Sequence, residues 1–256
     1  MSNWLQERPW VLRTISLILF FVMWEIAGRR TNPIFLSYPT AIARAAVDVI
    51  ASGELLFAFL QSMVPFLFGI AISIVGGVIL GLLIGQIWWV EQLLDQYVAA
   101  FNAIPRVAIM PLVILWFGLE LTGKVVIVVS LAIFPVIVNT YAGVKDVRGA
   151  LLDIGRAYAL TEMQIFFKII LPAALPFIMA GVRLAISLGL VGMIVAEFFT
   201  SVRGMGAMIL LASNNFATAK MFVPIIILAV LGIGLNEFLL YLEHRLAPWR
   251  VSERDR

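Results

Sequence analysis

Apolar stretches of membrane-spanning length recur along the whole chain. The segment PIIILAVLGIGL, for example, carries no charged residue. Of the 256 residues, 62% are hydrophobic and 13% are charged, with a mean hydropathy of +1.05. A soluble domain has roughly half apolar and about a quarter charged residues, so this excess cannot be buried in one soluble core. The sequence therefore predicts a polytopic membrane protein.

The spans are predicted to be helices. Lipid leaves every backbone polar group to be satisfied within the protein, and barrel strands would alternate apolar and polar residues where these runs are unbroken. We expect an all-α fold with about six transmembrane helices, at 10–28, 58–86, 97–118, 123–143, 174–198 and 221–242. The first is expected to be a retained span, because it is long for a signal core and lacks a small-x-small cleavage site.

The distribution of Lys and Arg predicts that both termini lie in the cytoplasm. Segments on the inner side would hold ten of them: Arg8, Arg13, Lys145, Arg148, Arg156, Lys168, Arg245, Arg250, Arg254 and Arg256. Segments on the outer side would hold six: Arg29, Arg30, Arg44, Lys124, Arg203 and Lys220.

Enzyme chemistry is poorly supported by the residue types present. The chain has no cysteine, one histidine (His244), and no HExxH or GxSxG pattern from which to build a metal site or a nucleophile. It also has no GxxxxGK[ST] phosphate loop. The net charge of +3 is small, and the positively charged residues flank the spans instead of forming one basic patch. This distribution argues against a nucleic-acid partner. We expect no catalytic residues and no bound metal or cofactor.

Three ionisable residues fall at membrane depth: Arg106, Arg183 and Glu197. A charge at a helix centre costs roughly 2.5–3.5 kcal/mol on insertion scales, so such residues face protein or water. Each is a candidate for the lining of a translocation path, and each could instead pair within the fold.

Small residues recur every four positions in the second span, at Gly69, Ser73, Gly77, Gly81 and Gly85. Such a stripe lets another helix approach closely. It predicts either packing within the chain or a subunit interface.

One polar segment interrupts the apolar chain: LLDIGRAYALTEMQIFFKIILPAALP, residues 151–176. Asp153 to Thr161 is predicted to form a short helix. A second amphipathic piece follows and is expected to stop at Pro172, where the LPAALP turn would redirect the chain into the fifth span. On the predicted topology this segment is cytoplasmic, and a short helix tied to two spans could serve as a handle.

This segment resembles the "EAA…G…I.LP" loop of the permeases of binding-protein-dependent ABC importers. Its ending IILPAALP matches the loop's ending well, Asp153, Ile154 and Gly155 occupy the Glu-Ala-Ala positions, and Ala159 occupies the Gly position. The resemblance covers nearly all of residues 10–245. The run PLVILWFGLELTGKVVIVVSLAIFPVIVNTYAGV is similar to the nitrate, sulfonate and taurine branch.

The resemblance implies a single permease domain over residues 1–256, with its core at 58–242 and a coupling loop at 149–172. ATP-binding cassette subunits, which would carry ATP and Mg²⁺, would dock on that loop. An external binding protein, periplasmic or lipid-anchored, would deliver a small anionic solute to a path in the inner membrane, and a second permease copy would complete a homodimer. The loop residues implied are Asp153, Gly155, Arg156, Ala157, Tyr158, Ala159 and Leu160.

The chain departs from the family pattern at Ala159, where alanine replaces glycine. A left-handed conformation there would cost about 1 kcal/mol. We therefore expect that the loop bends differently or that Ala159 continues the helix.

Two other functions remain open on the sequence. An ion-coupled secondary carrier would show inverted repeats and uptake driven by a gradient. A membrane scaffold would move no solute. The identity of the solute stays open as well.

Overall fold

The computed structural model describes residues 9–147, 149–200 and 203–247. In chain order the helices are α1 (Pro9–Arg30), α2 (Pro39–Ala51), α3 (Glu54–Gln86), α4 (Trp88–Ala103), a 3₁₀ turn (Arg106–Ile109), α5 (Met110–Phe117), α6 (Leu121–Lys145), α7 (Gly149–Ala157), α8 (Glu162–Ile165), a π turn (Phe166–Ile170), α9 (Leu171–Thr200), α10 (Met205–Asn214) and α11 (Thr218–Leu246). Five of the arginines used in the topology prediction lie outside the described residues: Arg8, Arg148, Arg250, Arg254 and Arg256.

The all-α prediction with about six spans is confirmed. Within the described residues, five helices are long and apolar enough to cross a membrane, and a bent helix pair would make a sixth. Four of them are α1, α3, α6 and α11, and the fifth is the helical stretch from Glu162 to Thr200.

The predicted third span, 97–118, is wrong as a continuous helix. Helix α4 ends at Ala103, and the pair formed by α4 and the segment Arg106–Phe117 is bent by 89°. Pro105 is the cause, since the residue before a proline avoids helical geometry and Ile104 takes an extended conformation (φ −68°, ψ 130°). The chain therefore turns sharply here instead of crossing straight.

The predicted stop at Pro172 and the turn at LPAALP are also wrong. The chain stays helical from Glu162 to Thr200. In the π turn the Leu171 amide donates to the Phe166 carbonyl, five residues earlier. This wider turn makes room for the Pro172 ring, which an α-turn would set against the carbonyl four residues before it. Helix α9 then runs on through Pro176.

The small-residue stripe of α3 packs against α6 of the same chain. Of the two predicted roles, packing within the chain and a subunit interface, the structure shows the first. A Cβ added at Gly69, Gly77, Gly81 or Gly85 would lie within 2.5–2.6 Å of side-chain atoms on α6. The residues contacted on α6 follow the same order along the chain as the glycines: Val128, Val136, Thr140 and Val144. The two helices therefore run parallel in close contact.

Helix α9 runs antiparallel to this pair and completes the core. Gly181 packs on Asn139 of α6, and Gly189 packs on Ile70 of α3. Fully buried residues such as Ala132, Val136 and Ala185 fill the space between the helices.

The antiparallel arrangement gives the bundle two distinct ends. Helices α3, α6 and α11 finish at the end that carries α7 and α8, which we call the α7 end. At the opposite end, called the α10 end, Thr218 of α11 donates a hydrogen bond to the Ile34 carbonyl (2.7 Å), and Trp24 packs on Phe222 with ring centroids 5.7 Å apart.

Candidate functional site

The polar segment forms a helical hairpin at the α7 end. The predicted helix is present but shifted, since α7 spans Gly149–Ala157 instead of 153–161. Its outward face carries apolar and charged side chains together: Leu151, Asp153, Ile154, Arg156 and Tyr158 are all exposed. Tyr158 is 79% exposed. Such a mixed face on a short helix is suited to contact with another protein.

The inward side of α7 is held by Gly155, which is buried. A Cβ at this position would lie 2.8 Å from Cδ1 of Ile169 and 3.3 Å from Cγ1 of Ile165. Among the predicted coupling residues, Gly155 thus seats the helix on its neighbours, whereas Asp153, Arg156, Ala157, Tyr158 and Ala159 are exposed and Leu160 is half-buried.

Helix α7 ends in a Schellman motif with alanine at the left-handed position. The Leu160 amide donates to the Gly155 carbonyl (3.1 Å) and the Ala159 amide donates to the Arg156 carbonyl (2.9 Å). Ala159 has a φ of 52°. Both expectations for this residue are wrong: the loop keeps the left-handed geometry despite the alanine, because the two hydrogen bonds satisfy carbonyls at the helix end.

The second arm of the hairpin starts with a capping box. The Thr161 hydroxyl accepts from the Gln164 amide (3.3 Å), and the Gln164 side chain accepts from the Thr161 amide (2.9 Å). With a Schellman motif on one side of Leu160 and a capping box on the other, the hairpin is fixed at both helix ends.

A polar contact ties the start of α4 to the end of α6, next to the hairpin. Lys145 pairs with Glu91 (2.6 Å), and the Tyr141 hydroxyl donates to the same carboxylate (2.9 Å). Lys145 lies four residues before α7 begins. The hairpin is therefore connected to α4 and α6 as well as to α9.

The three predicted path residues lie in three separate places. Arg183 pairs with Glu243 of α11 (2.8 Å) in a partly buried interhelical ion pair. Glu197 lies fourteen positions further along α9, or about 21 Å at 1.5 Å per residue. Arg106 lies in the 3₁₀ turn of the bent pair. Their role in a path stays a prediction for each of them.

Arg106 lies at the corner of the bent pair. Its guanidinium packs over the Phe134 ring, 4.9 Å from the centroid, and donates to the side chain of Asn102. Asn102 also lines a cavity of about 230 Å³ between α3, α4 and α6, together with Asp95 and Tyr141. The lining of this cavity beside the bend is mainly apolar, and these three residues are its polar members.

Glu197 is fully buried and holds the start of α10. Its carboxylate accepts from the Ser62 hydroxyl (2.7 Å) and from the Gly206 amide (2.7 Å). Ser62 in turn accepts from the Met205 amide (2.8 Å). Carboxylates are stabilised at helix N-termini by the free amides and the helix dipole.

Sequence reasoning missed the partners of these residues. Ser62 is part of the Glu197 network, and the carboxylate of Glu91 joins Lys145 and Tyr141. The partners are 135 positions apart in the first case and 54 and 50 in the second. Local periodicity cannot reveal pairs that only tertiary packing brings together.

The chain is thus a polytopic helical membrane bundle with a capped amphipathic hairpin at one end. The chain belongs to the family of binding-protein-dependent transport system inner membrane components, whose model matches residues 73–248. It is the transmembrane subunit of an ABC importer, and the family consists of transport subunits without catalysis of their own.

Curated relatives match almost the full chain. A Bacillus subtilis protein named as an aliphatic sulfonates transport permease is 33% identical over 95% of this chain and 89% of its own length. A formylaminopyrimidine transport permease of Halalkalibacterium halodurans is 32% identical over 94% and 96%. A taurine transport permease of Escherichia coli is 28% identical over 91% and 86%.

A solved structure confirms the fold. The crystal structure of an amino acid ABC transporter with histidines superposes with a TM-score of 0.62 at 16% identity. The match covers 78% of this chain and 97% of that chain.

Proposed function

We propose that the α7 hairpin is the coupling handle through which an ATP-binding cassette subunit drives this permease. The observation that carries the proposal is the outward face of α7, where Leu151, Ile154 and Tyr158 are exposed beside the ion pair of Asp153 and Arg156 (3.6 Å). That ion pair is solvated and adds little stability to the fold, so both charges are available to a partner.

In this scheme ATP and Mg²⁺ are bound by the partner, and this chain supplies the moving part. The capped hairpin passes displacement directly into α9 and, through the contact between Glu91 and Lys145, into α4. The α7 end would face the cytoplasm, which puts both termini on that side of the inner membrane, and an external binding protein would meet the α10 end.

The solute proposed is a small anion of the sulfonate or taurine type, because two of the relatives described above bear those names. We also propose a homodimer, in which two copies enclose a central path. An intact complex with two different permease chains would contradict the homodimer.

The test is an affinity pull-down in mild detergent, with the ATPase partner quantified by mass spectrometry. The variant pairs Arg156→Glu with Tyr158→Ala. Its matched control pairs Lys220→Glu with Phe35→Ala at the α10 end, because Phe35 and Tyr158 are each 79% exposed.

Recovery of an ATP-binding cassette with wild type and the control, but not with the α7 variant, supports the proposal. If wild type recovers no ATPase while the permease oligomer stays intact, the proposal is wrong. Uptake driven by an ion gradient without any ATPase would then favour a secondary carrier.

A further inference from the structure

The cavity between α3, α4 and α6 is lined on one side by a single face of α4. Its lining residues on α4 recur every three to four positions and so share that face: Asp95, Val98, Ala99 and Asn102. The two polar members stand at the ends of this row and the apolar ones between them. Asp95 and Asn102 are about 10 Å apart along the helix axis at 1.5 Å per residue. The cavity thus has two polar ends separated by two helical turns.

The facing wall of the cavity is largely apolar. Ile137 and Val138 of α6 line it together with Ile84 of α3. Tyr141 completes the wall, and its hydroxyl donates to Glu91 (2.9 Å), so it is not available to Asp95 as a donor. Pockets for drug-sized ligands start at roughly 300 Å³. A volume of about 230 Å³ therefore suits a smaller solute.

Asp95 brings an unneutralised negative charge to one end of the cavity. Among the residues that the structure describes, none forms a hydrogen bond or an ion pair with its carboxylate. The cation beside the cavity, Lys145, lies 5.9 Å from the centroid of the Tyr141 ring and is already paired with Glu91 (2.6 Å). Asp95 is exposed, so a solute can reach it.

A positive charge stands behind the other end. Arg106 donates to the side chain of Asn102, and within the described part of the chain its guanidinium meets no carboxylate. Its Nε is buried and has no acceptor there. Charges at membrane depth are costly and usually serve a function when they persist. Two such charges of opposite sign, one at each end of one cavity, indicate a ligand that carries both signs.

We propose that this cavity binds a short zwitterion, with the ammonium group at Asp95 and the sulfonate at Asn102 and Arg106. Charge-assisted hydrogen bonds hold both ends of the solute. The carbon linker between its charged groups contacts the apolar residues in the middle of the cavity, among them Val98 and Val138. This inference rests on the proposed function and narrows its solute class from small anions to amino sulfonates.

A solute with a single charge fits the cavity less well. A simple alkanesulfonate would leave the Asp95 carboxylate without a partner, and an organic cation would leave Arg106 without one. Leaving one charged group unpaired in a desolvated site lowers affinity. The cavity therefore discriminates against both kinds of singly charged solute.

The experiment measures solute binding by saturation-transfer NMR on the full chain in lipid nanodiscs, with the ATPase that co-purifies with it and without the external binding protein. Taurine carries both charges, isethionate replaces the ammonium group by a hydroxyl, and ethylammonium lacks the sulfonate. Asp95→Asn is paired with Asp48→Asn, a control at an exposed aspartate of α2. Ala99→Leu fills the cavity, and its control is Ala100→Leu, at an exposed neighbour outside the lining.

Wild type is expected to bind taurine about tenfold more tightly than either singly charged probe. Asp95→Asn should remove the preference for taurine over isethionate, and Arg106→Gln should remove the preference over ethylammonium. Ala99→Leu should weaken taurine binding by about tenfold or more, whereas both controls should stay within about twofold of wild type.

Two results would overturn the inference: wild type that binds taurine no better than isethionate or ethylammonium, or an Asp95→Asn variant that keeps the preference for taurine. Co-purification of the ATPase is scored in the same samples. If the ATPase is present and the zwitterion is not preferred, the site is refuted and the coupling proposal stands. If the ATPase is absent from wild type, it is the coupling proposal that fails.

Discussion

Replacing Ala159 by glycine should stabilise the end of α7. The left-handed φ of 52° costs an alanine roughly 1–2 kcal/mol, which glycine does not incur. Glycine also has more conformational freedom than alanine when this segment is open, which offsets about 0.4–1 kcal/mol of the stabilisation. The net gain is about 0.5–1 kcal/mol, or roughly a two- to fivefold shift of the local opening equilibrium.

The effect should be local, because the two hydrogen bonds of the Schellman motif open and close together. The assay is hydrogen exchange with mass spectrometry on peptides that cover residues 155–165, corrected for intrinsic exchange rates. In Ala159→Gly the amides of residues 159 and 160 should exchange roughly two- to fivefold more slowly than in wild type.

Ala157→Gly is the matched control, since Ala157 is the last residue of α7 and has helical geometry. Glycine costs about 0.5–1 kcal/mol at such a position, so exchange should speed up. If Ala159→Gly leaves the amides unchanged or makes them exchange faster, the left-handed strain argument is refuted.

The other predictions concern packing inside the bundle. Gly81→Ala should lower stability by about 1–3 kcal/mol in thermal melts, because its Cβ would lie 2.6 Å from a side-chain carbon of α6, whereas Gly76→Ala, with its nearest contact at 3.6 Å, should be tolerated. A double-mutant cycle of Arg183→Ala and Glu243→Ala should give a coupling of about 0.5–3 kcal/mol, and additive effects would show that the ion pair contributes nothing. Ser62→Ala should cost about 1.5–3 kcal/mol and speed hydrogen exchange at the start of α10, because it removes a donor to a buried carboxylate and an acceptor for an amide. Unchanged exchange there would contradict the assigned network.

Local sequence patterns predict much of the helical bundle. Spans such as α3 and α6 follow from apolar length, and the spacing of Gly69 and Gly77 predicts a close helix contact before its partner is known. The hairpin was located by its charges and by the IILPAALP ending. These features depend on neighbours within one or two turns, which the sequence displays directly.

Other features depend on how much strain the surrounding structure tolerates, which local rules do not give. Pro105 breaks a span whose composition suits a straight helix, while Pro172 does not stop its helix because a π turn accommodates it. Ala159 keeps a geometry that favours glycine, since hydrogen bonds at the helix end outweigh its cost. The partners of Glu197 and Arg183 come from distant helices, so only packing reveals them.

The unbroken helix from Glu162 to Thr200 has a consequence for the timing of transport. Its first turns belong to the α7 hairpin, and its last turns hold Glu197, which fixes the start of α10. At 1.5 Å per residue, its 39 residues reach about 58 Å from one end of the bundle to the other. In the proposed coupling scheme, a rotation of this stretch that begins at the hairpin would reach the start of α10 in the same movement. The two ends of the bundle would then change state together, without a separate signal between them.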